Sequence, residues 1–185
     1  MKIIEAGIPG CFIIKDQIFE DTRGYFFESF NKKDFEKLTG LVIDFVQDNQ
    51  SHSVRNVLRG LHFQRGIHAQ AKLVRVLQGT VLDIAVDLRK DSAFFGKYLA
   101  VELSAENAQQ LFIPRGFAHG FVVLSDHADF FYKCDNYYHK ESECGLKYND
   151  PDIAIDWKIN EHHLIINDKD RNNFSLNELL QNNLI

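Results

Sequence analysis

From Thr80 to Arg89 the residues alternate. Leu82, Ile84, Val86 and Leu88 fall on one side, and Val81, Asp83, Ala85 and Asp87 on the other. A period of two describes an extended strand; a helical face would recur every 3.6 residues. Comparable runs occur at Cys11–Phe19, Tyr25–Phe30, Leu41–Gln47, Ala71–Leu77, Tyr98–Leu103, Gln110–Ile113, Gly120–Leu124 and Phe130–Cys134. Turn-forming residues separate them, among them Asp21-Thr22-Arg23-Gly24, Gln78-Gly79 and Arg115-Gly116. Many short strands spaced about 8–12 residues apart predict an all-β sandwich or barrel. A long free sheet edge invites aggregation, so closure or a dimer covering the edge is expected. Helical signals are local. Asn31 is a suitable N-cap for Lys32–Leu38 with Gly40 just past the end, and Asn173 or Ser175 starts a short helix through Leu180.

No linker, charge block or repeat divides the 185 residues. One domain over residues 1–185 is expected, with a β core at roughly 45–135 and N-terminal strands and a C-terminal helical segment packed on it. The 16 phenylalanines point to an aromatic-rich interior. A net charge of −5 argues against a general nucleic-acid surface, though a few local arginines still suit a phosphorylated small molecule. Cys11, Cys134 and Cys144 are odd in number and form no Cys-x-x-Cys, which favours a reducing compartment over a disulfide framework. Residues 1–10 lack a basic start followed by an apolar run, and no stretch approaches the ~20 apolar residues of a membrane span. A cytoplasmic protein without a membrane segment is expected.

The chemistry-bearing residues cluster in three places. They are Arg59-Gly60-Leu61-His62-Phe63-Gln64 followed by Lys72, Pro114-Arg115-Gly116-Phe117-Ala118-His119-Gly120-Phe121, and Tyr132. A base, a cation, a second imidazole and a phenol suit proton abstraction beside a carbonyl, where an oxyanion develops and must be held. Pro114-x-Gly116-x-x-His119 resembles the second motif of the cupin superfamily, a double-sheet jelly roll. In the first cupin motif a glutamate ligand stands seven residues before a strand-ending glycine; here Lys72 stands seven before Gly79, and the His-x-His element reads His62-Phe63-Gln64. An ammonium repels a divalent ion, and two imidazoles without a third donor make a poor metal site. The expectation is therefore a cupin-type double-stranded β-helix with a few short peripheral helices, no metal and no other cofactor.

Longer blocks narrow the resemblance. Gln47-Asp48-Asn49, Val57-Leu58-Arg59-Gly60-Leu61-His62-Phe63-Gln64, Ala71-Lys72-Leu73-Val74, Asp83-x-Ala85-Val86-Asp87-Leu88-Arg89 and Ile113-Pro114-x-Gly116-Phe117-Ala118-His119-Gly120-Phe121 resemble the dTDP-4-dehydrorhamnose 3,5-epimerase family. Tyr132-Lys133, Tyr137-Tyr138, Asn149-Asp150-Pro151 and Lys169-Asp170 continue the likeness over nearly the whole chain. It implies a dTDP-linked 4-keto-6-deoxyhexose substrate, inverted at C3 and C5 through an enolate, in the supply of rhamnose for surface polysaccharide such as lipopolysaccharide O-antigen. It also implies roles. His62 is the base, with Asp170 as its partner and Asp168 a competing carboxylate nearby. Lys72 is the enolate clamp and Tyr132 the acid on the opposite face. His119 is a polar group near the ketone. Arg23 and Arg59 take the diphosphate, while Glu28, Gln47, Asp48 and Asn49 address base and sugar. Tyr138 stacks on the pyrimidine, and Glu143 and Lys169 line the same cleft. Arg23 and Glu28 lie in an early strand that the family shares across a homodimer.

Elementary geometry tests parts of this. Alternation groups Lys72 with Val74 and Val76, an interior face on which a lysine is costly unless it meets negative charge; Asp83 is its expected counter-ion. Strict alternation also sends Arg59 and His62 to opposite faces. Both reach one cleft only if the strand is irregular, and Gly60 predicts a bulge or kink there. The chain departs from the family pattern at Ser92-Ala93-Phe94-Phe95-Gly96, Phe112, Trp157-Lys158 and Ile165-Ile166-Asn167, the last leaving the register of Asp170 open. Competing readings are a 3- or 5-epimerase or 3,4-ketoisomerase of the same fold, a non-catalytic carbohydrate-binding cupin, and a metal-dependent cupin.

Overall fold

The computed structural model describes residues 1–185. In chain order the strands are β1 (Lys2–Glu5), β2 (Phe12–Lys15), β3 (Phe19–Asp21), β4 (Gly24–Phe26), β5 (Gln47–Val54), β6 (Leu58–Gln64), β7 (Lys72–Gln78), β8 (Thr80–Asp87), β9 (Tyr98–Ser104), β10 (Gln109–Ile113), β11 (Phe117–Val123), β12 (His127–Cys134) and β13 (Glu143–Gly145). Helix α1 (Lys32–Thr39) follows β4, and α2 (Asp168–Arg171) and α3 (Leu176–Gln181) close the chain. One sheet has the order β1-β2-β10-β7-β12-β5 and the other β13-β6-β11-β8-β9; every named pairing within them is antiparallel. The fold is the expected all-β jelly roll with short peripheral helices. No helix is long and apolar enough to cross a membrane.

Alternation sorts each strand between an inner and an outer core. Val74 and Val76 of β7, Leu111 and Ile113 of β10, Phe130 of β12, Val81 and Ala85 of β8 and Phe121 of β11 pack together between the sheets. Leu82, Ile84 and Val86 of β8 point the other way and are covered by the C-terminal segment through Leu146, Trp157, Ile166 and Leu179. The aliphatic stripe that marks β8 in the sequence is thus its outer face, and Asp83 lies on the side facing the interior. On the far side of the first sheet, Phe35 of α1 is fully buried against Phe112 with ring centroids 5.2 Å apart. Burying such a side chain contributes about 1.5–3 kcal/mol, and the unusual Phe112 is part of that layer.

The helix ends follow the sequence signals. Asn31 caps α1 and Gly40 ends it in the left-handed region at φ 73°. Ser175, not Asn173, starts α3 with a capping box to Glu178. Several strand bounds differ. Leu41–Gln47 is not a strand; pairing begins at Gln47, because only from there does β12 run alongside. β5 alternates between half-buried and exposed polar residues, a pattern apolar periodicity does not register. The run Cys11–Phe19 divides into β2 and the start of β3, Tyr25–Phe30 shortens to β4, and β1 has no counterpart among the sequence-based strands.

The irregularity at Gly60 is present. His119 pairs with His62 and Phe121 with Arg59, so three steps on β6 oppose two on β11. Gly60 has φ 120°, and a Cβ there would meet the Gly120 Cα at 2.6 Å and the His119 carbonyl oxygen at 2.8 Å. Gly24, at φ 121°, has nothing within 4 Å of its notional Cβ. The two positions therefore separate backbone preference from steric clash. Gly24→Ala is expected to cost ~1 kcal/mol of unfolding free energy and Gly60→Ala at least ~2 kcal/mol more, as read by urea denaturation; equal costs would contradict the close approach of β6 and β11.

Candidate active site

Two adjoining cavities of about 250 and 290 Å³ open between the sheets and share Asn49, His62, Lys72 and Tyr132. Each side chain is aimed by its strand. Asn49, Tyr132 and Val74 are cross-strand neighbours on β5, β12 and β7, and Lys72 pairs with Cys134. His62 and His119 face each other across β6 and β11. The Gly60 bulge turns Arg59 to the same side, where its Nε donates to Ser53 Oγ at 2.9 Å.

Asp170 comes from outside the sheets. Asn167 caps α2 by accepting from the Asp170 N–H at 2.7 Å, and the carboxylate lies 1% exposed beneath β6. Its Oδ1 is 2.7 Å from His62 Nε2, and its Oδ2 accepts from the Gly60 N–H at 3.0 Å. Burial works to raise its pKa, but the His62 bond and charge, the Gly60 N–H and nearby Lys169 outweigh it and hold the carboxyl below its usual range. The open register question is resolved: Asp170 is the carboxylate against His62, and Asp168 is exposed. His62 Nδ1 is left free of protein partners and open to the cavity.

Lys72 has no ion pair and no hydrogen bond within the protein. Burial pushes its pKa down, opposed by the Cys134 sulfur and the Asp83 and Glu143 carboxylates at longer range. The expected Lys72–Asp83 pair is not made, because both Asp83 oxygens are taken by His119 Nε2, at 3.1 and 2.9 Å. Lys72 Nζ instead stands 5.8 Å from the centre of the Tyr132 ring. Burial raises the Tyr132 hydroxyl to about 12, with Cys134 adding to the rise and Arg59 opposing it. The cavity thus holds an unpaired Lys72 amine beside a phenol that stays protonated at neutral pH.

The rim is polar. Tyr138 donates its hydroxyl to Glu143 at 3.1 Å and its backbone N–H to Gln47 at 2.9 Å, and Lys169 bonds Glu143 at 2.6 Å. Of the residues singled out in the sequence, Gln47, Asn49, Arg59, His62, Lys72, His119, Tyr132, Tyr138, Glu143 and Asp170 line the two cavities, and Lys169 joins through Glu143. Three do not. Asp48 falls on the outward face of β5, where it binds Lys133 at 2.9 Å. Arg23 sits at the tip of the β3–β4 hairpin, its side chain 87% exposed and paired with Asp21, and Glu28 is exposed in the following loop. Gln64, Gln70 and Cys134 also line the pocket and were not singled out. Gln64 and Cys134 stand two residues from His62 and Tyr132 on β6 and β12, so alternation points them inward, whereas Gln70 precedes β7 and lies outside the alternating run. The donor set does not suit a metal ion, because Lys72 occupies a cupin ligand position and no three His, Cys, Asp or Glu side chains converge to hold one.

The comparisons with known proteins agree with one another. The family model for dTDP-4-dehydrorhamnose 3,5-epimerase matches residues 5–178. The chain is 54% identical to the dTDP-4-dehydrorhamnose 3,5-epimerase of Escherichia coli K12 over 185 residues, covering all of both chains. The crystal structure of the dTDP-4-dehydrorhamnose 3,5-epimerase from Elizabethkingia anophelis is 58% identical, with a TM-score of 0.92 over 95% of this chain and 96% of that one. A dTDP-6-deoxy-D-glucose-3,5-epimerase from Legionella pneumophila, in complex with dTDP-4-keto-L-rhamnose, is 49% identical, with a TM-score of 0.94 over 100% and 96%.

The depressed Asp170 carboxyl links the site to stability. A group whose pKa is lowered on folding stabilises the native state above its unfolded value, ~3.9, and loses that contribution as pH falls through the folded value. Wild type is expected to exceed Asp170→Asn by ~1–2 kcal/mol between pH 5 and 7, with the gap closing below about pH 4 in pH-resolved denaturation. A gap independent of pH would contradict the depressed Asp170 carboxyl.

Proposed function

The chain belongs to the dTDP-4-dehydrorhamnose 3,5-epimerase family, and on that premise we propose that it converts dTDP-4-dehydro-6-deoxy-D-glucose to dTDP-4-dehydro-L-rhamnose, inverting C3 and C5. The protons at these carbons are acidified by the C4 ketone, so removal of either gives an enolate. Return of a proton to the opposite face inverts the centre, and the oxidation state does not change. The observation that carries the reading is that His62, Lys72 and Tyr132 meet in one cavity with Asp170 behind His62.

His62 takes the proton through its free Nδ1, and Asp170 orients the ring and stabilises the imidazolium that forms. Lys72 stabilises the enolate oxygen. Its lack of a protein partner favours this role, because a charge already neutralised by a salt bridge would have less to offer the developing anion. Tyr132, held protonated by burial, supplies the proton on the other face. Arg59 meets the diphosphate, whose oxygens suit a planar guanidinium. Gln47 and Asn49 address the sugar and base, Tyr138 stacks on the pyrimidine, and Glu143 with Lys169 borders it. His119 presents a polar atom near the reacting carbons.

In deuterated water, wild type is expected to incorporate solvent deuterium at both C3 and C5, resolved by NMR of the product. His62→Ala should slow exchange at least ~10²-fold. Tyr132→Phe should behave differently: the base still exchanges protons, but configuration is retained, because no acid serves the opposite face. Deuterium at a single carbon would favour a monoepimerase, and unchanged exchange in His62→Ala would remove His62 from its role.

We further propose a homodimer in the cytoplasm, serving rhamnose supply for surface polysaccharide. The three cysteines are free and buried, as suits a reducing compartment. The β3–β4 hairpin pairs with neither large sheet and exposes Phe19, Tyr25 and Phe26 beside Arg23. An apolar hairpin with a cation at its tip fits a second copy, and would bring Arg23 and Glu28 to that copy's cavity. Equal mixing of Arg23→Ala with His62→Ala, after unfolding and refolding together, should then restore about a quarter of wild-type sites through hybrid dimers. No recovery above the separate variants would contradict the shared site.

A further inference from the structure

Two imidazole–carboxylate pairs stand side by side in the cavity, and they differ. His62–Asp170 belongs to the proton transfer. His119–Asp83 has no part in it, yet it is the more buried: His119 is 6% exposed and Asp83 0%. The His119 ring is held on one face by Phe130, at 6.0 Å between centroids and 26° between planes, and Phe130 stacks in turn on Phe121 at 4.2 Å. Its Nε2 faces both Asp83 oxygens. Its Nδ1 has no protein partner and is open to the cavity.

We propose that Asp83 is a positioning residue that fixes His119 as the Nε2–H tautomer, so that His119 meets the bound sugar as a hydrogen-bond acceptor through Nδ1 and not as a donor to the ketone oxygen. The inference rests on the epimerase reading and divides labour within it. A single N–H shared between two carboxylate oxygens is the arrangement of an ionised acceptor; a carboxylic acid would engage Nε2 through one O–H. Burial raises the Asp83 pKa on balance, and the bond from His119 and the nearby Lys72 work against that rise; the two-oxygen geometry is what identifies the ionised form. A second proton on His119 is disfavoured by burial, by Lys72 and by His62, and its pKa lies below the usual imidazole value. Nδ1 is then a bare lone pair. A lone pair repels an enolate oxygen and attracts a hydroxyl hydrogen. The ketone oxygen is left to Lys72, and a ring hydroxyl beside the reacting carbons bonds His119.

Histidine-selective 15N labelling and long-range proton–nitrogen correlation on the free wild-type protein at pH 7 test the tautomer directly. The His119 signal is assigned by its loss in His119→Gln. An Nε2–H signal is expected; an Nδ1–H or doubly protonated ring overturns the proposal. This measurement needs no Asp83 variant to fold. In Asp83→Asn the amide can donate to Nε2 as well as accept, so the tautomers should mix. The kinetic loss should fall on KM, by about tenfold, and less on kcat, because a hydroxyl bond is made in ground and transition states alike. A kcat loss of ~10²-fold or more with KM unchanged would mark His119 as an oxyanion donor and overturn the proposal. If wild type shows no exchange at C3 or C5, the epimerase reading fails, whereas an Nε2–H signal would still uphold the hold of Asp83 on the tautomer.

Discussion

Gly60 and Gly120 meet where β6 passes β11, closer than any side chain permits. The contact consumes one extra residue on β6 and resets which way the strand faces. Without it, Arg59 and His62 would point to opposite sides of the sheet, one into the cavity and one into the layer under the C-terminal segment. The same bulge exposes the Gly60 N–H to Asp170 Oδ2, so the irregularity that turns the arginine inward also anchors the carboxylate behind the histidine. One backbone feature thus arranges three side chains from two distant parts of the chain.

Charge placement follows from what each group is already bonded to. Asp170 is held in its ionised form against a half-exposed imidazole. Asp83 and His119 are buried beside a lysine, a setting that disfavours a second proton on the His119 ring. Lys72 is left unpaired, and both oxygens of Asp83, its expected partner, are occupied by His119. The cost of burying a charge there is partly relieved by the Asp83 and Glu143 carboxylates at longer range, and an incoming anion is the partner the site lacks. Burial moves the Tyr132 phenol and the Lys72 amine in opposite directions, the phenol up to about 12 and the amine down.

Much of this was legible in the chain. The period of two at Thr80–Arg89 identified β8, Asn31 and Gly40 bounded α1, and the parity conflict between Arg59 and His62 located the bulge. What was not legible has physical causes. β5 is polar on both faces, since one lines a cavity and the other meets solvent, so apolar periodicity passed over it. Asp48 sits in a tripeptide whose neighbours line the pocket, but alternation sends it outward to Lys133. Asn-Asp-Lys-Asp has the composition of a surface turn; only the tertiary position of Asn167 and α2 buries Asp170. Asp83 was assigned to Lys72 because both lie on inward faces. Its actual partner, His119, comes from the neighbouring strand β11, and cross-strand register is not written in either strand alone. The hairpin carrying Arg23 is legible as a turn, but where it packs is not a local property.

Arg59 and His62 belong to one short strand, braced at one end by Ser53 and at the other by Asp170. The proposed anion contact and the proton acceptor are therefore set at a fixed separation along a rigid rail. Such a strand works as a calliper. A nucleotide sugar with a single phosphate, or with a longer bridge between base and hexose, would seat its charge correctly only by carrying its reactive carbons past the imidazole.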